Sequence, residues 1–230
     1  MLRRTFALAA VLGGVGLAAP AHAAFVAPTS WDRSDPGVTY QAWDVFTGLT
    51  DQAPDVADQN ANGAALLSET SGVAFVTSGG NLYSPTGPTA FTVTVPEADV
   101  PAPPHDVTAV VQIKTLGTEL DDGSITLNGL APVDRAELFR SELGGFGGAD
   151  VETWLLFNVP YAAFGEGTPG VENLTLEFAA AGSSMSLDRL SIDTAVRPFG
   201  FYDEANPVPE PTSAAVLLAG VALVARRRRA

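Results

Sequence analysis

Between residues 24 and 205 the apolar positions recur in short runs of strand length rather than at helical spacing. Phe91, Val93 and Val95 alternate with Ala90, Thr92 and Thr94, and Leu174, Leu176 and Phe178 repeat the pattern, the period of a strand with one face buried and one wet. Other windows are denser in apolar residues. Residues 40–46 crowd Tyr40, Trp43, Val45 and Phe46 together, residues 107–115 are strongly β-branched, and Trp154, Leu155, Leu156 and Phe157 stand consecutively within 152–159, as in a strand buried on both faces. Residues 73–77 and 81–83, split by Ser78-Gly79-Gly80, predict a hairpin. Asp121-Asp122-Gly123 predicts a turn before a short strand at 124–127. In 185–193 the apolar positions move from odd (Leu187) to even (Leu190, Ile192), which predicts a bulge.

The intervening segments are punctuated by Gly, Pro, Asp and Asn. Residues 47–71, rich in Asp, Asn, Gln, Ala and Gly, read as a long surface loop, and 144–148 as a flexible one. Pro96, Pro101, Pro103 and Pro104 make 96–106 an extended crossover between sheets. Residues 133–143 have the propensities of a short helix without regular apolar spacing. Eight or nine short strands and no other helical pattern predict an all-β fold, a jelly-roll-like β-sandwich.

The two ends differ from this body. Arg3 and Arg4 precede an apolar run over 5–19, and Ala21-His22-Ala23 has the small-x-small form of a cleavage site, so residues 1–23 read as a secretory signal peptide and the body as residues 24–205. The run is shorter than the ~20 residues of a retained span. Residues 206–230 form a second signal. Residues 212–225 carry no charge and would span about 21 Å as a helix, against about 30 Å of hydrocarbon. Arg226, Arg227, Arg228 and Arg229 follow; they act as a cytoplasmic stop and place the body outside. Pro209 and Pro211 hold the lead-in, Val208-Pro209-Glu210-Pro211, in an exposed non-helical form.

Pro-Glu-Pro, a short apolar helix and an arginine cluster, in that order at the C-terminal end, resemble the PEP-CTERM sorting signal of Gram-negative and related bacteria. The resemblance covers about the last two dozen residues. It implies cleavage near Val208, Pro209, Glu210 and Pro211 by an exosortase, and an association with bacteria that make exopolysaccharide. An ordinary tail anchor with a proline-rich linker would be extracytoplasmic too. The stretches Ser-Leu-Asp-Arg-Leu-Ser-Ile-Asp (186–193) and Gly-Gly-Asn-Leu-Tyr-Ser (79–84) look similar to jelly-roll ectodomains that precede such tails. Sandwiches of that kind are broadly similar to carbohydrate-binding modules, which raises sugar binding without naming a site.

Removing the signals sharpens the charge. Of twelve basic residues, six lie in the two end signals, so the body holds six, against twenty-five acidic groups once Glu210 is set aside, a net of about −19. Nucleic acid, which needs cations to displace its counterions, is excluded as a partner, and anionic lipid is disfavoured. There is no cysteine. An exported body of about 180 residues must therefore be held by its core rather than by disulfides.

Candidate chemistry is sparse. Asp58-x-Asn60-x-Asn62-Gly63-x5-Glu69 fits the calcium-loop pattern, with Asp58, Asn60, Asn62, the Ala64 carbonyl and Glu69 as oxygen ligands. Pro54 spoils an incoming helix, and only two of the ligands are charged. Trp31, Tyr161 and Tyr202, flanked by polar, Pro or Gly residues, are candidates for stacking on a pyranose; Trp43 and Trp154, inside apolar runs, read as core. His105 is the imidazole left after the signal peptide, and no Gly-x-Ser-x-Gly elbow is present, so no catalytic residue is assigned. A glycosidase needs only two carboxylates, and no pair stands out. The sequence thus leads to a non-catalytic exported surface or exopolysaccharide-matrix protein. Its partners would be the Sec translocon, signal peptidase, an exosortase and, before processing, the inner membrane. Weak glycan or calcium contacts belong to that expectation. The alternative is a carbohydrate-active enzyme or lectin with the same export route.

Overall fold

The computed structural model describes residues 25–96, 105–145, 147–164 and 173–207. Among them are twelve strands: β1 (Val38–Trp43), β2 (Ala57–Gln59), β3 (Leu66–Glu69), β4 (Phe75–Val76), β5 (Leu82–Tyr83), β6 (Ala90–Pro96), β7 (His105–Gly117), β8 (Thr126–Leu127), β9 (Asp134–Glu142), β10 (Ala149–Val159), β11 (Asn173–Ala179) and β12 (Met185–Pro198). All pair antiparallel. The large sheet has eight strands, six of them in the order β2-β1-β12-β7-β10-β9, with the β4–β5 hairpin attached to β12; the small sheet runs β3-β6-β11-β8. Two 3-10 turns, Asp122–Ser124 and Tyr161–Phe164, are the helical elements among the described residues. The chain is an all-β sandwich.

Its core lies between the sheets. Phe91 and Phe178, a cross-strand pair on β6 and β11, stack with centroids 5.0 Å apart, and Val93, Leu174 and Leu176 continue that face. The alternation read from these strands is a physical consequence of the small sheet's position: one side meets the core, the other meets water. From the large sheet come Trp43, Val107, Ala109, Val111, Ile113, Leu155, Phe157, Leu190 and Ile192. The Trp43 indole donates to the Gln52 carbonyl at 2.9 Å, so this core tryptophan also fastens the loop after β1.

Several sequence expectations are refined. Residues 47–71 are not one loop: Ala57–Gln59 pairs with β1, and Leu66–Glu69 pairs with β6, burying Ala65, Leu67 and Glu69. That strand carries no apolar alternation, because Leu66 is exposed and the charged Glu69 takes the second buried position. Residues 133–143 form no helix; β9 is an edge strand on β10, where pairing overrides local helical propensity. The bulge expected in 185–193 is a register shift between Leu187 and Arg189, and the strand then runs on to Pro198. Most of the 96–106 crossover falls outside the described residues, but its ends, in β6 and β7, belong to different sheets. Residues 1–23 and 208–230, with the signal peptide, Val208-Pro209-Glu210-Pro211 and the arginine cluster, also lie outside them.

Candidate ligand-binding face

The outer face of the large sheet divides into two halves, set by register. Residues two apart on a strand share a face, so Thr108, Val110, Gln112 and Lys114 of β7 point outward, opposite the core residues Val107, Ala109, Val111 and Ile113. Beside them stand Trp154 and Glu152 of β10 and Ser191 and Arg189 of β12.

The first half is covered by the two ends of the described chain. The Gln112 side chain imitates a strand: its Oε1 accepts from Val26 N, and its Nε2 donates to Val26 O, both at 2.8 Å. Arg33 forms a two-pronged pair with Asp193, 2.6 and 2.9 Å, while its guanidinium lies 3.3 Å from the centre of the Tyr40 ring. From the other end Glu204 accepts from Thr29 N and Oγ1 and from Ser30 N and Oγ, at 2.6–3.2 Å. Tyr202 N donates to Thr108 Oγ1 at 2.9 Å. Trp31 of this strap packs on Val110, Trp154, Leu156 and Ala195 of the sheet in a second apolar cluster. Asp193 is fully buried, and burial pushes its carboxyl up to about 6; the hydrogen bond and charge of Arg33 oppose this without reversing it.

The second half is polar and charged. Lys114, 4 % exposed, lies 3.0 Å from Asp188 and 3.6 Å from Asp150. Its cross-strand neighbours are Glu152 and Arg189. Arg189 pairs with Asp44 at 2.6 Å, and Asn81 donates to Asp188 at 2.9 Å. Asp150 and Glu152 are both more than nine-tenths buried, and Asp150 Oδ1 and Glu152 Oε1 have no hydrogen-bond partner among the described residues. Burial raises the Glu152 carboxyl above its ordinary range; Lys114 and Arg189 pull it down, and Asp150 adds to the rise.

The β4–β5 hairpin closes this half. Leu82 points into the core, so Tyr83 points outward, facing Phe75 across the hairpin and Ser186 of β12. Phe75 and Tyr83 meet edge to face, with centroids 5.7 Å apart. The hairpin is placed by Gly80, whose φ of +86° favours glycine and whose missing Cβ would sit 2.8 Å from Val45 Cγ1; its carbonyl accepts from Phe46 N at 2.7 Å.

The sequence candidates are scattered over this frame. Trp43 and Trp154 are buried, as read. Trp31, expected among the exposed aromatics, is only 7 % exposed because the strap folds it onto the sheet, where its ring lies 5.3 Å from that of Tyr202. Tyr161 is half-buried and held through its backbone, which donates to Asp106 Oδ1 at 3.0 Å. Of the calcium-loop residues, Asp58 is exposed on β2, at the edge of the large sheet, whereas Glu69 lies on β3 in the small one. Asn60 Nδ2 donates to Pro96 O at 2.5 Å, its Oδ1 accepts from Asn62 N, and Ala64 is exposed. The Glu69 carboxylate is occupied by Ser71 N, Ser71 Oγ and Gly72 N. Among the described residues no three His, Cys, Asp or Glu side chains are grouped to hold a metal ion, and no helix is long and apolar enough to cross a membrane.

Sequence reasoning missed Lys114, Asp150, Glu152, Asp188 and Phe75. One signal was present: Asp150 and Glu152 are the two charged residues of β10 and stand two apart at the start of a mostly apolar strand, and Lys114 interrupts the β-branched run of β7 in the same way. Comparison with protein-family models, with curated proteins and with solved structures gives no match.

Proposed function

We propose that this chain is a non-catalytic exported surface or exopolysaccharide-matrix protein, delivered by its signal peptide and sorted and processed through a PEP-CTERM tail. The observation that carries the reading is the order of parts at the end of the chain: Val208-Pro209-Glu210-Pro211, an uncharged run over 212–225, then Arg226 to Arg229. Export uses the Sec translocon and signal peptidase. The tail holds the protein in the inner membrane until an exosortase cuts near Val208–Pro211, and the body goes on to the cell surface or matrix, with weak glycan contacts. A jelly-roll topology fits this role. It is supported by the order β1-β12-β7-β10 in one sheet and β6-β11-β8 in the other, with β6, β7, β8, β10, β11 and β12 alternating between sheets along the chain.

The test is the mass of the mature protein. An epitope placed at residue 144 allows recovery from the envelope; the expected product begins near Ala24 and ends before Thr212. Replacing Glu210 with Ala should leave the uncut form in the inner membrane. A surface form that still carries Arg226 to Arg229 would sink the proposal.

One observation favours the second reading, a carbohydrate-active enzyme or lectin: Asp150 and Glu152 share a face of β10, and burial raises the Glu152 carboxyl above its ordinary value. A hydrolase screen decides it, because turnover lost in both Asp150→Asn and Glu152→Gln would replace the non-catalytic reading.

A further inference from the structure

We propose that the hairpin edge of the large sheet, Phe75 and Tyr83 with Asn81, Asp44, Asp188 and Arg189 beside them, binds a neutral polysaccharide. The inference deepens the glycan contact in the functional reading above and rests on that part of it alone.

Phe75 is 48 % exposed, yet its ring is held by the edge-to-face contact with Tyr83 and by cross-strand pairing, so little side-chain freedom is lost when a ligand covers it. A rigid exposed ring matches the apolar C–H face of a pyranose. The hydroxyls at the rim of such a sugar are both donors and acceptors. They meet a matching mixture here: carboxylate acceptors on Asp44 and Asp188, amide and guanidinium donors on Asn81 and Arg189, each pre-oriented by the Asn81–Asp188 and Arg189–Asp44 contacts. Tyr83, Phe75, Arg189 and Lys114 share the outward face by register, so the ring and the polar groups address one ligand from one side.

Charge chooses the class of glycan. Asp44 and Asp188 pair with Arg189 and Lys114, but Asp150 and Glu152 stand beside the same two cations, so acidic groups outnumber basic ones at this edge as they do over the body. A polyanion would be repelled on approach, and a neutral chain would not. The terminal strap, which covers the other half of the sheet, leaves this edge open.

The experiment is affinity electrophoresis of the purified full-length chain through gels containing dextran, laminarin, galactomannan or alginate. Retardation by at least one of the three neutral polymers is expected. Phe75→Ala should weaken it about ten-fold with its melting midpoint within about 2 °C of the parent, and Phe75→Trp should restore it. Retardation by no neutral polymer, by alginate alone, or equally in parent and Phe75→Ala overturns the proposal. Each of these results leaves export and tail processing untouched, and a failure of tail processing leaves the binding result untouched.

Discussion

Glu204 gathers more hydrogen bonds than any other side chain in the strap, and its replacement measures whether the strap is part of the fold. In Glu204→Ala, four donors lose their acceptor: Thr29 N, Thr29 Oγ1, Ser30 N and Ser30 Oγ. Hydrogen bonds to a charged group contribute about 1.5–3 kcal/mol each. Thr29 is exposed and Ser30 half-buried, so water replaces part of what is lost, and the four bonds share one carboxylate and do not add. The net cost should be about 2–4 kcal/mol, a large share of the 5–15 kcal/mol that stabilises a typical domain. Glu204→Gln keeps one carbonyl oxygen but turns an amide N–H towards the remaining donors, and should cost about half as much. Urea unfolding followed by tryptophan fluorescence gives both values, because Trp31 belongs to the strap and packs on the sheet beside the clasp. Amide hydrogen exchange at Thr29 and Ser30 gives the local readout. A change below about 0.5 kcal/mol in Glu204→Ala, with both amides still protected, would refute the reasoning and make the strap an accessory to a sheet that is stable without it.

Two further predictions follow from single carboxylates. Asp193 holds its proton more tightly in the folded chain, at about 6 against an ordinary 3.8, so its ionisation opposes folding: its contribution to stability falls as pH rises from about 4 to about 6, by roughly 3 kcal/mol. The groups facing it are Arg33, Tyr40 and Glu204. Urea titrations of the parent and of Asp193→Asn between pH 4 and 7 should differ in slope across that window; parallel curves would contradict the assignment. Glu69 caps its own turn through Ser71 and Gly72, so Glu69→Ala should cost about 1–2 kcal/mol without calcium and the same with millimolar calcium. A cost that grows with calcium in thermal melts would instead make Glu69 a ligand.

The fold was legible wherever one strand's environment is written in its own residues. Alternation at Phe91, Val93 and Val95 and at Leu174, Leu176 and Phe178 announced the small sheet. The doubly buried reading of 152–159 was equally sound, but the reason for it was invisible: Trp154 and Leu156 are covered by a strap drawn from both ends of the body. Edge strands such as β2 and β9 carry little apolar signal because only one neighbour specifies them. The candidate face was the least legible part. Asn81 and Asp188 are 107 positions apart, and Lys114 meets Asp150 and Asp188 only because β7 lies between β10 and β12. No local pattern records such a meeting; it exists only once the order of strands is known.

The hydrogen bonds between Thr29 and Glu204, 175 positions apart, also give the molecule a mechanical character. They make the body a closed ring of chain rather than an open thread. Tension applied between those two points is borne first by the clasp and the Trp31–Tyr202 contact, not by the sandwich. Such a clasp behaves as a fuse. Under load it opens ahead of the sheets, lengthening the protein while Phe75 and the charged edge behind it keep their shape.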